Sequence, residues 1–234
     1  MNQEHTLKQF DVELDDLKSR VMAMGGLVEQ QFAHAMDGLA SGDLARIEQV
    51  ILNDRMVNRH EVELDEACVR LIARRQPTAV DLRMVMTVIK IITDLERIGD
   101  EAKKIAKMAR EIHGDEMRAV PRIELRPAAD LALTMLRKSL DAFVRLDVNV
   151  SAEVARQDRQ VDASFKAAMR QLITFMMEDP RTISSSLDLL FIARAIERIG
   201  DHSKNIAEYV VYLVKGRDVR HLGLEALERE VSAP

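Results

Sequence analysis

The apolar positions of the chain repeat every three or four residues, which is the spacing of one buried face of an α-helix. The longest such run predicts a first helix over residues 5–40. Turn-forming residues separate five further runs, and these predict helices over residues 44–74, 77–113, 125–146, 151–177 and 182–215. No run shows the period of two that marks a half-buried strand, so we expect an all-α protein.

Three local features refine this pattern. Gly25 and Gly26 interrupt the first helix and mark a bend or a close contact. Pro77 is expected in the first turn of the third helix, where its missing N–H is tolerated. Residues 217–234 form a charged tail with a few leucines, which we expect to be a loosely packed helix or partly disordered.

Composition excludes several classes of protein. The formal net charge is −5 with both signs interspersed, so no basic surface for nucleic acid is expected. No run of about 18 apolar residues exists, and the N-terminus lacks the apolar core of a signal peptide. Cys68 is the single cysteine, which rules out an intrachain disulfide. We therefore expect a cytoplasmic protein with a reduced thiol.

One short motif occurs twice. The sequence ERIGD fills residues 96–100 and again residues 197–201, and a lysine follows three residues later in each copy, as Lys103 and Lys204. On a helix, the Glu and the Asp of each copy are about 40° apart and one turn apart. Two carboxylates held on one face repel each other unless a positive charge lies between them. A metal cation is the obvious candidate.

The glycine of the motif adds a second signal. Gly99 and Gly200 each cost a helix interior roughly 1 kcal/mol relative to alanine, and each shares the carboxylate face. A missing side chain there lets a neighbouring helix, a metal or a ligand approach the backbone. The simpler interpretation is a tight helix–helix contact with surface salt bridges from Arg97 and Arg198. Because the same glycine recurs at the same place in both copies, we favour a binding site for a metal or a ligand.

The preceding helix of each half carries a second polar pair. Asp54 and Asn58 align with Asp158 and Asp162 when the two halves are superposed on ERIGD. Counted from the turns, both pairs lie at the height of the Glu/Asp pair on the next helix of an antiparallel hairpin. The candidate metal ligands are therefore Glu96, Asp100, Glu197, Asp201, Asp158, Asp162, Asp54 and Asn58.

Glu61 and Asp65 continue the acidic stripe of the second helix. Their counterparts in the second half are apolar, namely Phe165 and Met169. We therefore treat these two acids as weaker candidates, which extend the site in the first half only.

The residue types narrow the chemistry. Oxygen ligands favour hard cations such as Mg, Ca, Mn or Fe, and neither CxxC nor HExxH, the signatures of common zinc sites, is present. The Glu-x-x-His pair of di-iron bundles is absent. His202 points about 100° away from Asp201, which indicates a surface or supporting residue rather than a ligand. The lysines of both copies are expected only to balance charge. No nucleophile–base arrangement appears, so we assign no catalytic residue.

Both signature helices, with sequences ERIGDEAKKIA and ERIGDHSKNIAE, resemble those of the PhoU family of phosphate-transport accessory regulators. Residues 72–77 and 42–44 resemble the family as well, and the likeness extends over about residues 7–215. It implies two tandem, pseudo-symmetric three-helix bundles, over residues 1–116 and 117–216, with a C-terminal tail over 217–234. It also implies metal ions bound through paired acidic motifs. Seven of the candidate ligands match the family pattern, whereas Asn58 replaces an Asp and leaves the first site with less charge.

The resemblance further implies a cytoplasmic negative regulator of phosphate uptake and of the phosphate-starvation response. Such a protein links a phosphate ABC transporter, through its ATPase subunit, to a sensor histidine kinase. It would reach the membrane only through these partners and act as a homodimer. The cofactor would be a divalent or trivalent metal (Mg, Mn, Fe or Zn), whose identity stays open.

Two alternatives remain at this stage. A carboxylate-bridged metalloenzyme, either a hydrolase or a redox enzyme, would need open coordination positions and a pocket. A metal-free helical scaffold would carry the same acidic stripes as solvated faces.

Overall fold

The structure, a computed structural model, describes residues 2–114, 119–220 and 222–232 and contains no strand in these ranges. The chain is all-α, as predicted. The helices are α1 (Asn2–Ser41), α2 (Leu44–Arg75), α3 (Ala79–His113), α4 (Arg126–Arg145), α5 (Val150–Glu178), α6 (Ile183–Lys215) and α7 (Leu224–Ser232), with a 3-10 turn at Pro180–Thr182 before α6.

Local chemistry sets the helix ends. The side chain of Asp43 accepts a hydrogen bond from the Arg46 backbone N–H at 3.1 Å and so caps the start of α2. Gly216 has a φ of +72°, the left-handed conformation that commonly ends a helix, and it ends α6. Thr78 is the residue before α3, so Pro77 lies outside that helix and the prediction that it sits in the first turn was wrong.

The helices form two three-helix bundles, as predicted. Helices α1, α2 and α3 pack on one another, and α4, α5 and α6 do the same. The hairpins α2/α3 and α5/α6 repeat the same arrangement, whereas α1 has 40 residues and α4 only 20. The boundary that we predicted at residues 116/117 lies outside the described residues.

Helices α3 and α6 join the two bundles, and α1 contacts α4 beside them. The apolar side chains of both bundles merge into one core, which includes Phe32 and Ile91 from the first half and Phe143 and Ile192 from the second. Gly25 permits the α1–α4 contact, because a Cβ atom there would lie 2.6 Å from Leu140 Cδ1. The glycine break in α1 therefore marks a close contact between the bundles.

A polar seam between α3 and α6 accompanies this apolar junction. The Nδ1 atom of His202 on α6 lies 2.7 Å from Asp94 Oδ1 on α3, and both side chains are buried. Nearby, Arg198 Nε lies 3.5 Å from Glu101 Oε1. His202 is therefore neither a surface residue nor part of the carboxylate clusters, because it connects the two bundles.

The C-terminal tail is better packed than its composition indicates. Helix α7 lies on α5, and Val219, Leu227 and Val231 are buried against Ala155 and Val211. The helix that we predicted in the tail is present, and its apolar side chains in the described part pack more closely than we expected. None of the helices in the described ranges is both long and apolar enough to cross a bilayer.

Candidate metal centre

Three carboxylates of the second bundle converge between α5 and α6. Asp158 and Asp162 lie one turn apart on α5, and Asp201 faces them from α6. One oxygen atom of each lies within 4.8 Å of the others, which is close enough for the three groups to hold one cation. Counting residues from the turn predicted this equal height correctly, because an antiparallel hairpin aligns positions equally distant from its turn.

Glu197 lies beside these three groups and contributes a free oxygen. The residue is 8% exposed, and Arg194 donates to its Oε1 atom at 2.5 Å. Its Oε2 atom is buried and has no hydrogen-bond partner in the described structure. A buried carboxylate oxygen without a partner is costly, and a cation next to it would remove that cost. The donor set of the second bundle therefore suits a hard metal ion.

The electrostatics of this cluster reflect crowding of negative charge. Burial raises the pKa of Asp201, and repulsion from Asp158 raises it further. Burial likewise raises the pKa of Glu197, with Asp201 as the next contributor. These groups resist ionisation together, so a proton or a bound cation stabilises them.

A positively charged side chain of the protein, Lys204, already contacts this cluster. Lys204 Nζ donates to Asp158 Oδ2 at 2.5 Å. Burial lowers the pKa of Lys204, but the hydrogen bond with Asp158 and the charges of Asp158, Asp201 and Glu208 outweigh burial and raise it. The lysine of the motif therefore forms a direct contact inside the cluster and does more than balance charge from outside.

Glu208 is a member of this region that sequence analysis missed. It is 4% exposed, and its Oε2 atom has no hydrogen-bond partner in the part of the chain that the structure describes. Burial raises its pKa to about 7, and repulsion from Asp158 and Asp218 adds to the shift. The available signal was its position four residues after Lys204. The internal repeat hid it, because residue 107, its counterpart, is a lysine.

The first bundle arranges its candidates differently. Lys103 Nζ lies 2.7 Å from Asp54 Oδ2 and 3.6 Å from Asp100 Oδ1, so it sits between the two acids. Asp54 is buried, and its Oδ1 atom is without a partner within the described ranges. The Asp100 side chain is 53% exposed, and Asn58 is exposed as well. No three acids of the described first bundle come as close together as those of the second.

Glu61 is nearer to this first cluster than its weaker ranking implied. Burial raises the pKa of Glu96, followed by repulsion from Asp100, Glu61 and Asp54. Burial also raises the pKa of Glu61, with Asp65 and then Asp100 as the next contributors. Glu61, Glu96 and Asp100 therefore share one electrostatic environment, and Asp65 adds to it through Glu61.

The motif glycines serve helix packing. A Cβ atom on Gly99 would lie 3.2 Å from Val57 Cγ1 of α2, and one on Gly200 would lie 3.6 Å from Val161 Cγ1 of α5. Valine side chains thus fill the space that the glycines leave. The interpretation as a tight helix–helix contact is supported at Gly99, whereas the space at Gly200 would accept a methyl group at an ordinary contact distance.

This geometry defines a class of protein. It has two helical bundles, and in each bundle acidic side chains from the two helices of a hairpin face each other. The chain belongs to the PhoU family, because the family model described as PhoU domain matches residues 21–109 and again residues 125–210. Each match covers most of one bundle, in agreement with the internal repeat.

Known relatives extend over nearly the whole chain. The phosphate-specific transport system accessory protein PhoU homolog of Pseudomonas aeruginosa is 45% identical over 229 residues, which covers 97% of this chain and 94% of the relative. The phosphate-specific transport system accessory protein PhoU of Escherichia coli K12 is 45% identical over 225 residues, covering 96% and 93%.

Solved structures agree with the fold. The crystal structure of PhoU from Pseudomonas aeruginosa has a TM-score of 0.85 at 45% identity, covering 89% of this chain and all of that one. The crystal structure of the phosphate transport system regulatory protein PhoU from Streptococcus pneumoniae has a TM-score of 0.83 at 31% identity, covering 90% and 99%.

Proposed function

We propose that the chain is a cytoplasmic negative regulator of phosphate uptake that acts by binding partners rather than by catalysis. Its partners are a phosphate ABC transporter, contacted through the ATPase subunit, and a sensor histidine kinase of the phosphate-starvation response. The observation that carries this proposal is the family match over both bundles, together with relatives named as accessory proteins of phosphate-specific transport. A homodimer is the expected form.

Metal binding at the carboxylate clusters is the second part of the proposal. It is supported by the convergence of Asp158, Asp162 and Asp201 within 4.8 Å and by the unpartnered Oε2 atom of Glu197. A bound Mg, Mn, Fe or Zn ion would neutralise the facing carboxylates and hold α5 against α6. The side chains of the two helices then present one fixed surface to a partner.

Metal analysis tests this second part directly. Protein purified without chelator or affinity metal is analysed by mass spectrometry, as wild type and as Asp162→Asn/Asp201→Asn. We expect at least one equivalent of metal in the wild type and a clear loss in the variant. Asp141→Asn, an exposed acid on α4, is the control and should retain metal. Equal metal in all three proteins would contradict the proposed site.

Partner binding is tested with the same proteins. The wild type is mixed with the purified transporter ATPase and with the cytoplasmic part of the kinase, and complex formation is measured by size-exclusion chromatography. We expect complexes with both partners, weakened in Asp162→Asn/Asp201→Asn and unchanged in Asp141→Asn. No complex with either partner would contradict the proposed regulatory role.

A further inference from the structure

Lys204 contacts one of the three acids that converge in the second cluster. Its Nζ atom donates to Asp158 Oδ2 at 2.5 Å, and Asp158 is one of the three converging acids. The Asp158 side chain is 8% exposed, so water screens this pair only weakly. A divalent ion that takes Asp158 as a ligand competes directly with the ammonium group.

A second acceptor for Lys204 lies on its own helix. Glu208 follows Lys204 by four residues, the spacing that places two side chains next to each other on one face. The buried Oε2 atom of Glu208 makes no hydrogen bond within the described structure. Glu208 is close enough for its charge to raise the pKa of Lys204. A displaced ammonium group would therefore find a carboxylate one helical turn away.

The first bundle lacks an acceptor at the equivalent position. Lys103 pairs with Asp54 as Lys204 pairs with Asp158, but the residue four positions after Lys103 is Lys107. An ammonium group displaced from Asp54 would face another positive charge on that side. The other partner of Lys103 on its own helix is Asp100 at 3.6 Å, which is itself a candidate metal ligand, whereas Lys204 has an acceptor outside the candidate ligands.

We propose that Lys204 is a built-in competitor of the metal, and that metal binding transfers it from Asp158 to Glu208. The cluster then exists in two states, one neutralised by lysine and one by metal, and Glu208 makes the exchange less costly. The second partner of Lys103 is Asp100, which is itself a candidate ligand, so the first cluster stays in its lysine-neutralised state. This inference rests on the metal binding proposed above and adds how the affinity of that site is set.

A double-mutant cycle tests the exchange. The full chain is treated with chelator, dialysed and titrated with Mn²⁺ alone by isothermal titration calorimetry, as wild type, Lys204→Met, Glu208→Gln and the double variant. Lys103→Met is the matched control from the first bundle. Circular dichroism without metal verifies that each variant is folded.

The expected pattern has three parts. Lys204→Met binds Mn²⁺ about tenfold more tightly than the wild type, because no ammonium group has to be displaced. Glu208→Gln binds several-fold more weakly, because the displaced lysine loses its charged partner. In the double variant the effect of the Glu208 change disappears. Lys103→Met leaves the affinity of the second cluster unchanged.

Different failures have different meanings. A Lys204→Met affinity equal to or weaker than that of the wild type overturns the competitor role while the metal site itself stands. A Glu208 effect that persists in the double variant overturns the transfer, because Glu208 would then act on the metal directly. No Mn²⁺ binding in any of the proteins refutes the proposed metal site and this inference with it. If Lys204→Met does not fold, Glu208→Gln still decides the question, since unchanged affinity in that variant overturns the transfer.

Discussion

The two carboxylate clusters occupy equivalent places in the two hairpins, yet the acidic groups around the shared lysine are arranged differently. In the first, Lys103 lies between Asp54 and an exposed Asp100. In the second, three acids converge and Lys204 contacts Asp158. The comparison teaches that a repeated motif specifies position, whereas the residues around it decide how many acidic groups meet there.

Two replacements account for much of this difference. Asn58 takes the place of Asp162, which removes one charge and one strong ligand from the first cluster. Lys107 takes the place of Glu208, which puts a positive charge where the second cluster has a negative one. Both changes favour lysine neutralisation in the first bundle and a cation in the second.

The largest expected effect is a difference in Mn²⁺ affinity between variants of the two motif aspartates. Asp201→Asn should weaken Mn²⁺ binding about a hundredfold, roughly 3 kcal/mol, because it removes one of three converging ligands. The equivalent change Asp100→Asn should leave the affinity of the tightest Mn²⁺ site within about twofold of the wild-type value. Calorimetric titration of both variants measures the contrast, and equal losses would erase the distinction between the clusters.

The two lysines should differ in how metal compensates for their loss. Without metal, Lys103→Met and Lys204→Met should each lower the free energy of unfolding by about 1–3 kcal/mol, because each leaves a buried carboxylate without its partner. Added Mn²⁺ should restore the stability of Lys204→Met and leave Lys103→Met below the wild type. Urea unfolding with chelator and with Mn²⁺ measures both effects, and equal rescue would contradict the comparison.

Glu208 should make the second bundle sensitive to pH. Its pKa is about 7 in the native state and 4.5 in a model peptide, so between these values the native state holds a proton that the unfolded chain has released. Stability therefore falls as pH rises through this window, by about 1 kcal/mol per pH unit at most. The difference between Glu208→Gln and the wild type, both unfolded in chelator from pH 4.5 to 7.5, should show this slope.

The pH test has a matched control in Lys107→Gln, the equivalent position of the first bundle. That variant should follow the wild type throughout the same pH range, because it leaves the Glu208 carboxyl group in place. A flat difference curve for Glu208→Gln would show that the carboxylate ionises normally in the native state.

The smallest effects are expected at the motif glycines. Gly200→Ala should raise the free energy of unfolding by up to about 1 kcal/mol, since the new methyl group meets Val161 at an ordinary contact distance of 3.6 Å. Gly99→Ala should gain less, because Val57 at 3.2 Å must move by a few tenths of an ångström. Thermal unfolding of the two variants measures which one is more stable. The reverse order would mean that Val57 on α2 moves aside more easily than Val161 on α5.

The hairpins and the second cluster were predictable from the sequence for a physical reason. Helix periodicity fixes which face a residue occupies, and the distance from a turn fixes its height, so Asp158, Asp162 and Asp201 had to meet. Both rules use only the position of a residue within its own helix and its distance from the adjoining turn. They apply wherever the partners lie on consecutive antiparallel helices.

The features that escaped prediction depend on information that is not local. The partners His202 and Asp94 are 108 residues apart, and no spacing rule connects α6 with α3. In the sequence Glu208 could not be told from an exposed polar residue. Its role as a hydrogen-bond acceptor depends on its burial, which only the structure shows. The burial of Val231 against α5 likewise depends on tertiary packing.

The seam between α3 and α6 has a consequence for how the chain folds. Contacts within each hairpin close short loops, whereas the His202–Asp94 pair closes a loop of more than one hundred residues and costs more chain entropy. We therefore expect each hairpin to form early and the seam to form late. A late seam leaves the apolar faces of both bundles exposed for longest, so this junction is where a folding chain is most exposed to aggregation and to exchange of bundles between two molecules.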